Sequence, residues 1–512
     1  MKRRIQLLTV LLFSIWMGSA LAYTLHQGRN VLRVDFREEV RWEYWNTFDQ
    51  KFSRDNFTYD RSYSFASSKM RLGMGIRSPR AEAYLQINWT QLLGLPDQGE
   101  FGLGTLYYQF NGKFGNGPGY DTKATHIGYG ALSQAWIRFQ PRSLRGLSLT
   151  LGRFLYASGA EGSAPRNPSL RWVKKFRISQ RMIGPFDWSR VGRAFDGALA
   201  SYHRRFWTLT LSYLHPTPGG FYLKRDHLHR KGQSAYDITL ATVVLSLQDT
   251  NPWLPGTDSQ LFYYYYNDRR KLKNPASLYN PQQNGLADCE INMLGGHLLY
   301  ARKAGPGIMD LLLWGGYQWG VWGRNPSLEH QAWALAVEAG YRFPHLPWQP
   351  WFRLGYFYGS GDDQPGDTQH HTFFMMIPTL RIYSMTPSYT LMNTTYWMGQ
   401  IILQPASHLL LRSDFHVVNL TRGRDYWYLG SGMMRPDVFS YATLGAHIPY
   451  RDRHLLTMWD LSLFFKNIYT SHGLRTDMDI YLSHIWGRDV VRDTFKSGDE
   501  LTFFYVELRF TF

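Results

Sequence analysis

The sequence predicts an all-β molecule, a transmembrane antiparallel up-and-down β-barrel of about 18 strands, within limits of about 16 to 20. Three observations predict it. Short segments alternate apolar and polar side chains with a period of two along most of the chain, the connections between them alternate short and long, and the final segment alternates up to a terminal aromatic, Phe512.

Residues 1–22 read as a secretory signal: Lys2, Arg3 and Arg4, an apolar stretch over 7–17, then Ala20-Leu21-Ala22. Cleavage is expected before Tyr23, which leaves residues 23–512 as a single barrel domain bound for a Gram-negative outer membrane. The apolar stretch is shorter than the ~20 residues a spanning helix needs, and no cysteine follows the cleavage site to carry a lipid. Nowhere after it do 18 residues run without polar or charged interruption. Aromatic residues make up 16% of the chain against an ordinary 44% hydrophobic, as expected of strands whose two faces meet different solvents. Cys289 is the sole cysteine, so an intramolecular disulfide scaffold is excluded and a buried, quiet thiol is expected. The formal net charge of +17 points to anionic partners, namely lipopolysaccharide phosphates outside and an anionic solute inside. Nucleic acid is a poor candidate for an exported chain.

The first wall segment is 31–44. Its even positions, Leu32, Val34, Phe36, Val40, Trp42 and Tyr44, are apolar, whereas Arg33, Asp35, Arg37, Glu39, Arg41 and Glu43 occupy the odd ones. Only Glu38 interrupts the apolar face, and a bulge is the one account the pattern offers. One such segment alone fits a soluble amphipathic strand; recurrence decides for the membrane. Lys69, Arg71 and Arg77 alternate with Met70, Leu72, Met74 and Ile76, and after a Ser78-Pro79 turn the alternation resumes over 80–89, a hairpin. Further segments lie near 132–140, 146–153, 194–202, 206–214, 236–247, 259–267, 290–301, 308–319, 331–343, 350–358, 391–404, 407–418, 440–448, 457–467 and 475–485, with 439–496 ambiguous. Long connections run near 45–64, 91–130, 154–193, 215–234, 268–288 and 359–390. The glycine-rich 94–130 loop is the longest, and it either enters or caps the pore or has no role there.

In the last segment Thr502, Phe504, Val506, Leu508, Phe510 and Phe512 share one face. Phe510 and Phe512 fit the terminal signal read by the barrel assembly machinery. Trp42, Tyr44, Trp45, Trp89, Trp319 and Trp351 are expected in the interfacial aromatic girdles.

Alternation assigns to the lumen Arg33, Arg37, Arg41, Lys69, Arg71, Arg77, Arg80, Arg138, Arg342, Arg353, Arg412 and Arg509, against Asp35, Glu39, Glu43, Glu82, Glu338, Asp414 and Glu507. A cationic excess in a narrow low-dielectric channel concentrates anions and suits carboxylates, which arginine grips with two donors. Pairing of the same charges across neighbouring strands is the alternative for each residue. No catalytic site, cofactor or metal is expected: there is no serine elbow or His-Glu-x-x-His, Asp414 and His416 lack a nucleophile, and His370-His371 reads as two exposed loop histidines.

Several local patterns together are similar to the alginate exporter family of outer-membrane porins. They are Leu149-Thr150-Leu151-Gly152-Arg153, Asp187-Trp188 leading to Phe195-Asp196-Gly197, Tyr358-Gly359-Ser360-Gly361-Asp362-Asp363, and Asp414-Phe415-His416 followed by Arg424-Asp425-Tyr426-Trp427-Tyr428. The resemblance implies a monomeric 18-stranded barrel whose arginine-rich constriction passes an acidic polysaccharide outward, with Arg153 and Asp196 added to its path. Better-known exporters carry long acidic loops, whereas this chain is aromatic and basic, a departure that bears on alginate as cargo. A general or anion-selective diffusion porin, or the outer-membrane sleeve of a larger assembly served by periplasmic export partners, remains open at this point.

Overall fold

The computed structural model describes residues 23–48, 61–95, 126–190, 192–217, 237–269, 289–323, 327–379, 382–429, 442–444, 449–471, 473–495 and 498–512. The signal segment and most of the 94–130 loop lie outside them.

The strands in chain order are β1 (Tyr23–Gln27), β2 (Asn30–Asn46), β3 (Ser62–Arg77), β4 (Ala81–Leu93), β5 (His126–Phe139), β6 (Leu147–Phe154), β7 (Phe195–Arg204) and β8 (Trp207–Pro216). Then come β9 (Ile238–Leu247), β10 (Thr257–Asp268), β11 (Cys289–Ala304), β12 (Gly307–Trp322), β13 (Leu328–Arg342), β14 (Trp351–Gly359) and β15 (Gln369–His370). The last are β16 (Thr394–Ala406), β17 (Leu409–Leu420), β18 (Trp427–Leu429), β19 (Ala442–Leu444), β20 (His454–Ser471), β21 (Leu474–Gly487) and β22 (Glu500–Thr511). Helix α1 (Pro168–Val173) runs directly into a π-helical turn over Lys174–Ile178, and α2 (Asp489–Thr494) precedes β22.

Eighteen antiparallel strands form the closed wall, each paired with its neighbours in sequence, and β22 pairs with β2 to close it. β1 and β22 meet the same edge of β2 end to end, with Tyr23 opposite Val34 and Thr511 opposite Arg37. Both described termini thus lie at one end with the short turns, such as 78–80, 205–206, 305–306 and 407–408; the long connections lie at the other. In outer-membrane barrels the short-turn end faces the periplasm.

One expected strand is not part of the wall. Within 440–448 the described residues, Ala442–Leu444, pair with Trp427–Leu429 in a separate two-stranded sheet, and β17 pairs directly with β20. A segment this short cannot cross a bilayer, which removes the ambiguity at 439–496. Nor is there a bulge at Glu38, whose register with Met70 and Phe510 is unbroken. Its carboxylate is fully buried on the outward face and accepts from Ser68 Oγ at 2.9 Å.

Outward side chains are those alternation assigned, with Trp42, Trp89 and Trp319 all substantially exposed. Trp45 and Trp351 are corrections to the girdle: both have the parity of the lumen face and are buried there. Trp45 stacks on Phe503 at 3.9 Å, and Trp351 Nε1 donates to Asp310 at 2.7 Å.

The interior is filled from the long-loop end. Residues 155–194 and 360–393 fold into the lumen and pair with each other through a parallel bridge between Ile183 and Ile377, where Gly184 N donates to Ile377 O and Ile377 N to Met182 O. Phe373, Phe374, Met375, Met376 and Ile377 are buried there with Met182, Ile183 and Phe186. The hydrophobic core thus sits inside the barrel, where inward side chains of the wall pack against these loops. The first of these loops reaches the short connection between β9 and β10, where the Asn167 backbone N–H donates to Asp249. Asn167 caps α1, its side chain accepting from Ser169 N at 2.9 Å, and Pro168 supplies the preset first helical position.

Candidate functional site: an arginine-carboxylate lumen

Among the described residues four charged clusters stand out on the lumen wall, three of them joined by the inward loops. The first lies across the closing seam. Arg41 on β2 grips Glu507 on β22, with Nη2 to Oε2 at 2.6 Å, and its guanidinium stacks 3.9 Å from the ring of loop residue Trp188. Arg190 from the same loop donates to the same Glu507 oxygen at 2.8 Å. Asp187 pairs with Arg71 and accepts from Lys69 Nζ at 3.2 Å. Burial alone would raise the Asp187 carboxyl; Arg71 and Lys69 hold it well below the usual carboxylate range.

A second cluster joins Arg353, Glu338 and Asp310 on β14, β13 and β12, with Arg353 Nη2 to Glu338 Oε2 at 2.9 Å and Arg177 of the π-turn 3.4 Å from the same glutamate oxygen. Gly340 makes room for it, since a Cβ there would collide with both Asp310 Oδ2 and Trp351 Nε1. In the third, Lys174 Nζ donates to Asp258 on β10 at 3.0 Å, and His297 lies 3.2 Å from that carboxylate. The fourth holds Arg412, Asp414, His416 and Asp460 on β17 and β20.

Along β2 the wall changes from solvated to dry. The Arg33 side chain is 65% exposed, Arg37 37% and Arg41 2%. Arg138 is 37% exposed, and Arg171 and Lys175 of the inward loop are exposed as well. Partial burial lowers the Lys175 ammonium, as do the nearby Lys466 and Arg509; Asp479 opposes them. The short-turn end is therefore an open cationic mouth, and the middle of the barrel is closed and charge-paired.

Alternation places Arg33, Arg37, Arg41, Lys69, Arg71, Arg77, Arg138, Arg342, Arg353, Arg412, Asp414, Glu507 and Arg509 toward the lumen, and in the structure all of them have inward parity. Most are already engaged: Arg37 with Glu39, Arg138 with Glu82, Arg412 with Asp414, and Arg509 with Asp479 and Glu507. Arg342 donates to Gln349 instead, at 2.5 Å.

Arg153 and Asp196 are corrections. They are register partners on β6 and β7, joined by Nε–Oδ1 at 2.6 Å and Nη2–Oδ2 at 2.7 Å, and they share the outward face with exposed Leu149 and Leu151. The lumen side of that pairing belongs to Thr150 and Phe154, both buried. The parity of the leucines carried this signal in the sequence; the motif did not.

Sequence reasoning missed Lys174, Arg177, Arg181 and Arg190, because they lie in a connection, and named Asp187 only within a family-like motif. The signal available was a dense basic run over 171–193 in a loop too long for a simple link. It also missed the wall acids Asp258, Asp310, Asp460, Asp477 and Asp479, which supply much of the pairing. His370, expected exposed, is buried against Trp322, ring centroids 3.9 Å apart, with its Nδ1 2.8 Å from His330 Nδ1. Burial, with His330 and His371 beside it, holds its pKa well below the ordinary histidine value. Cys289 is buried at the start of β11 and in no disulfide.

The alginate export family model matches residues 174–445, more than half of the chain. The chain belongs to the alginate export family. This family member also shares its architecture with solved porins. OccAB2 of Acinetobacter baumannii superposes with a TM-score of 0.53 at 9% identity, over 94% of this chain and 98% of that one. OccK9 (OpdG) of Pseudomonas aeruginosa gives 0.52 at 9% identity, over 93% and 98%, and OccAB1 of A. baumannii 0.52 at 8% identity, over 93% and 96%. At such identities the likeness is one of fold. No curated protein matches the sequence. Family and fold are both of transport type: an alginate export family and the barrel architecture of an outer-membrane channel.

Proposed function

We propose that this barrel conducts an acidic polysaccharide of polyuronate type from the periplasm outward, over arginines that exchange carboxylate partners. One observation carries the reading: the exposure gradient from Arg33 through Arg37 to Arg41, which makes the short-turn end a solvated cationic funnel leading to a dry ladder of arginine–carboxylate pairs. A polymer of carboxylates arriving from the periplasm meets the exposed cations first. Each wall pair is then a site of the kind a uronate occupies, and a series of weak equivalent sites lets a polymer move where one tight site would hold it. Asp187 sits on Lys69 and Arg71 as the protein's own carboxylate, so passage requires the 155–194 and 360–393 loops to yield. A cleaved signal, insertion by the barrel assembly machinery, lipopolysaccharide contact and periplasmic export partners belong to the same proposal.

The loop-filled lumen favours a second reading, an anion-selective diffusion porin for small solutes. Reversal potentials of the purified barrel in planar bilayers, measured with salt alone and then with polyuronate on each side, separate the two. The export reading expects anion selectivity, block from the short-turn side only, and loss of that block in R33E/R37E. Anion selectivity with no polyuronate block supports the diffusion porin, and cation selectivity sinks both.

A further inference from the structure

Asp414 and Asp460 are register partners on β17 and β20, and His416 lies two residues from Asp414 on the same inward face. All three are buried, at 1%, 0% and 0% exposure, and one donor atom from each lies within 4.8 Å of the others. His416 Nε2 and Asp460 Oδ2 are 3.4 Å apart. Two donors each ~2.0–2.2 Å from a tetrahedral zinc-like ion stand about 3.4 Å apart.

The second observation is independent of that geometry. No hydrogen bond of good geometry reaches either oxygen of Asp460, Nε2 of His416, or the nearby hydroxyls of Ser462 and Ser483, the last on the register partner of Asp460, although the polar groups of His416, Ser384, Ser483 and Tyr481 stand around the Asp460 carboxylate. Buried polar atoms are ordinarily satisfied, and a buried carboxylate without a counter-charge is expensive. Among the described residues no lysine or arginine lies within ion-pair distance of Asp460, whereas Arg412 Nε stands 2.8 Å from Asp414 Oδ2.

The surroundings are those of ligands held in place. The Tyr396 hydroxyl bonds His416 Nδ1, so the ring proton sits there when Nε2 binds a cation, and Gln400 Nε2 donates to Asp414 Oδ1 at 2.5 Å. We propose that Asp414, His416 and Asp460 form a divalent transition-metal site in the lumen wall. One imidazole and two carboxylates suit zinc or manganese; calcium wants six to eight oxygens, and magnesium seldom takes an imidazole. An ion there satisfies Asp460 and adds positive charge to the wall beside Arg412, so occupancy strengthens the anion-attracting field of the lumen.

The test uses the full barrel, purified in detergent, stripped with EDTA and shown folded by heat-modifiable gel migration. Titration with zinc chloride alone should give about one ion per chain, and cobalt chloride should give the visible absorption of a low-coordinate site. D460N and H416N should weaken zinc binding at least ~100-fold, while Y396F, which leaves every ligand in place, should weaken it by ~10-fold. If the folded wild type takes up no zinc, or D460N and H416N bind it as the wild type does, there is no metal site in the lumen wall.

Discussion

Arg41 and Glu507 are 466 residues apart in sequence and face each other across the closing seam of the barrel, joined by Arg41 Nε and Nη2 at 2.8 and 2.6 Å from a single carboxylate oxygen. Arg190 binds that same oxygen from the inward loop. The contact that closes the wall is thereby also the one that anchors the plug, and removing either partner leaves a buried charge.

E507Q should therefore destabilise the barrel by about 3–5 kcal/mol, the usual cost of stranding one member of a buried pair, and R41M/E507L by less, with Arg190 keeping only Glu39 at 3.7 Å. Urea unfolding in liposomes followed by tryptophan fluorescence measures both. Equal losses in the single and double variants would show that the pair itself, and not the stranded charge, is what matters.

Asp187 is the carboxylate that the loop presents to Lys69 and Arg71. D187A should leave two lumen cations without that partner and raise the anion-to-cation permeability ratio in planar bilayers. An unchanged ratio would mean that the Lys69 and Arg71 charges are not felt along the conducting path.

Gly340 faces Asp310 and Trp351 at a distance no Cβ tolerates. G340A should cost about 1–3 kcal/mol, as overpacking does, and weaken the Arg353–Asp310 contact. Thermal unfolding of G340A beside W351F, which loses only the indole donor, tells crowding from loss of a hydrogen bond.

Asp425, in the connection after β17, is buried and accepts from Thr372 Oγ1 at 2.5 Å, Tyr428 Oη at 2.6 Å and the Asp362 backbone N–H at 2.9 Å, tying the 360–393 loop to its neighbour. Burial outweighs these bonds and pushes its carboxyl up to about 6. A raised folded-state value means that the neutral form is favoured on folding. The stability it contributes is complete below the ordinary value of 3.8 and is lost as pH rises through about 6. Limited proteolysis of the loops should accelerate between pH 5 and 7.5, a range chosen to bracket that value, and D425N should flatten the dependence. The same acceleration in D425N would assign it to another group.

By itself the sequence determined the wall and its two faces. Side-chain alternation is a local property of extended backbone, so the parity that places Leu32 and Val34 outward places Arg33, Arg37 and Arg41 inward without knowledge of any partner, and the same holds for Arg71, Arg353 and Asp414. Even Arg153 was legible by this rule, since Leu149 and Leu151 share its parity. Only the tertiary structure decided what fills the lumen. The courses of 155–194 and 360–393 depend on contacts such as Arg177 with Glu338, Asp187 with Arg71 and Ile183 with Ile377, between segments far apart in the chain. No periodicity encodes such contacts, because a loop that buries its apolar and charged groups inside a barrel obeys the shape of the cavity and not a repeat of its own.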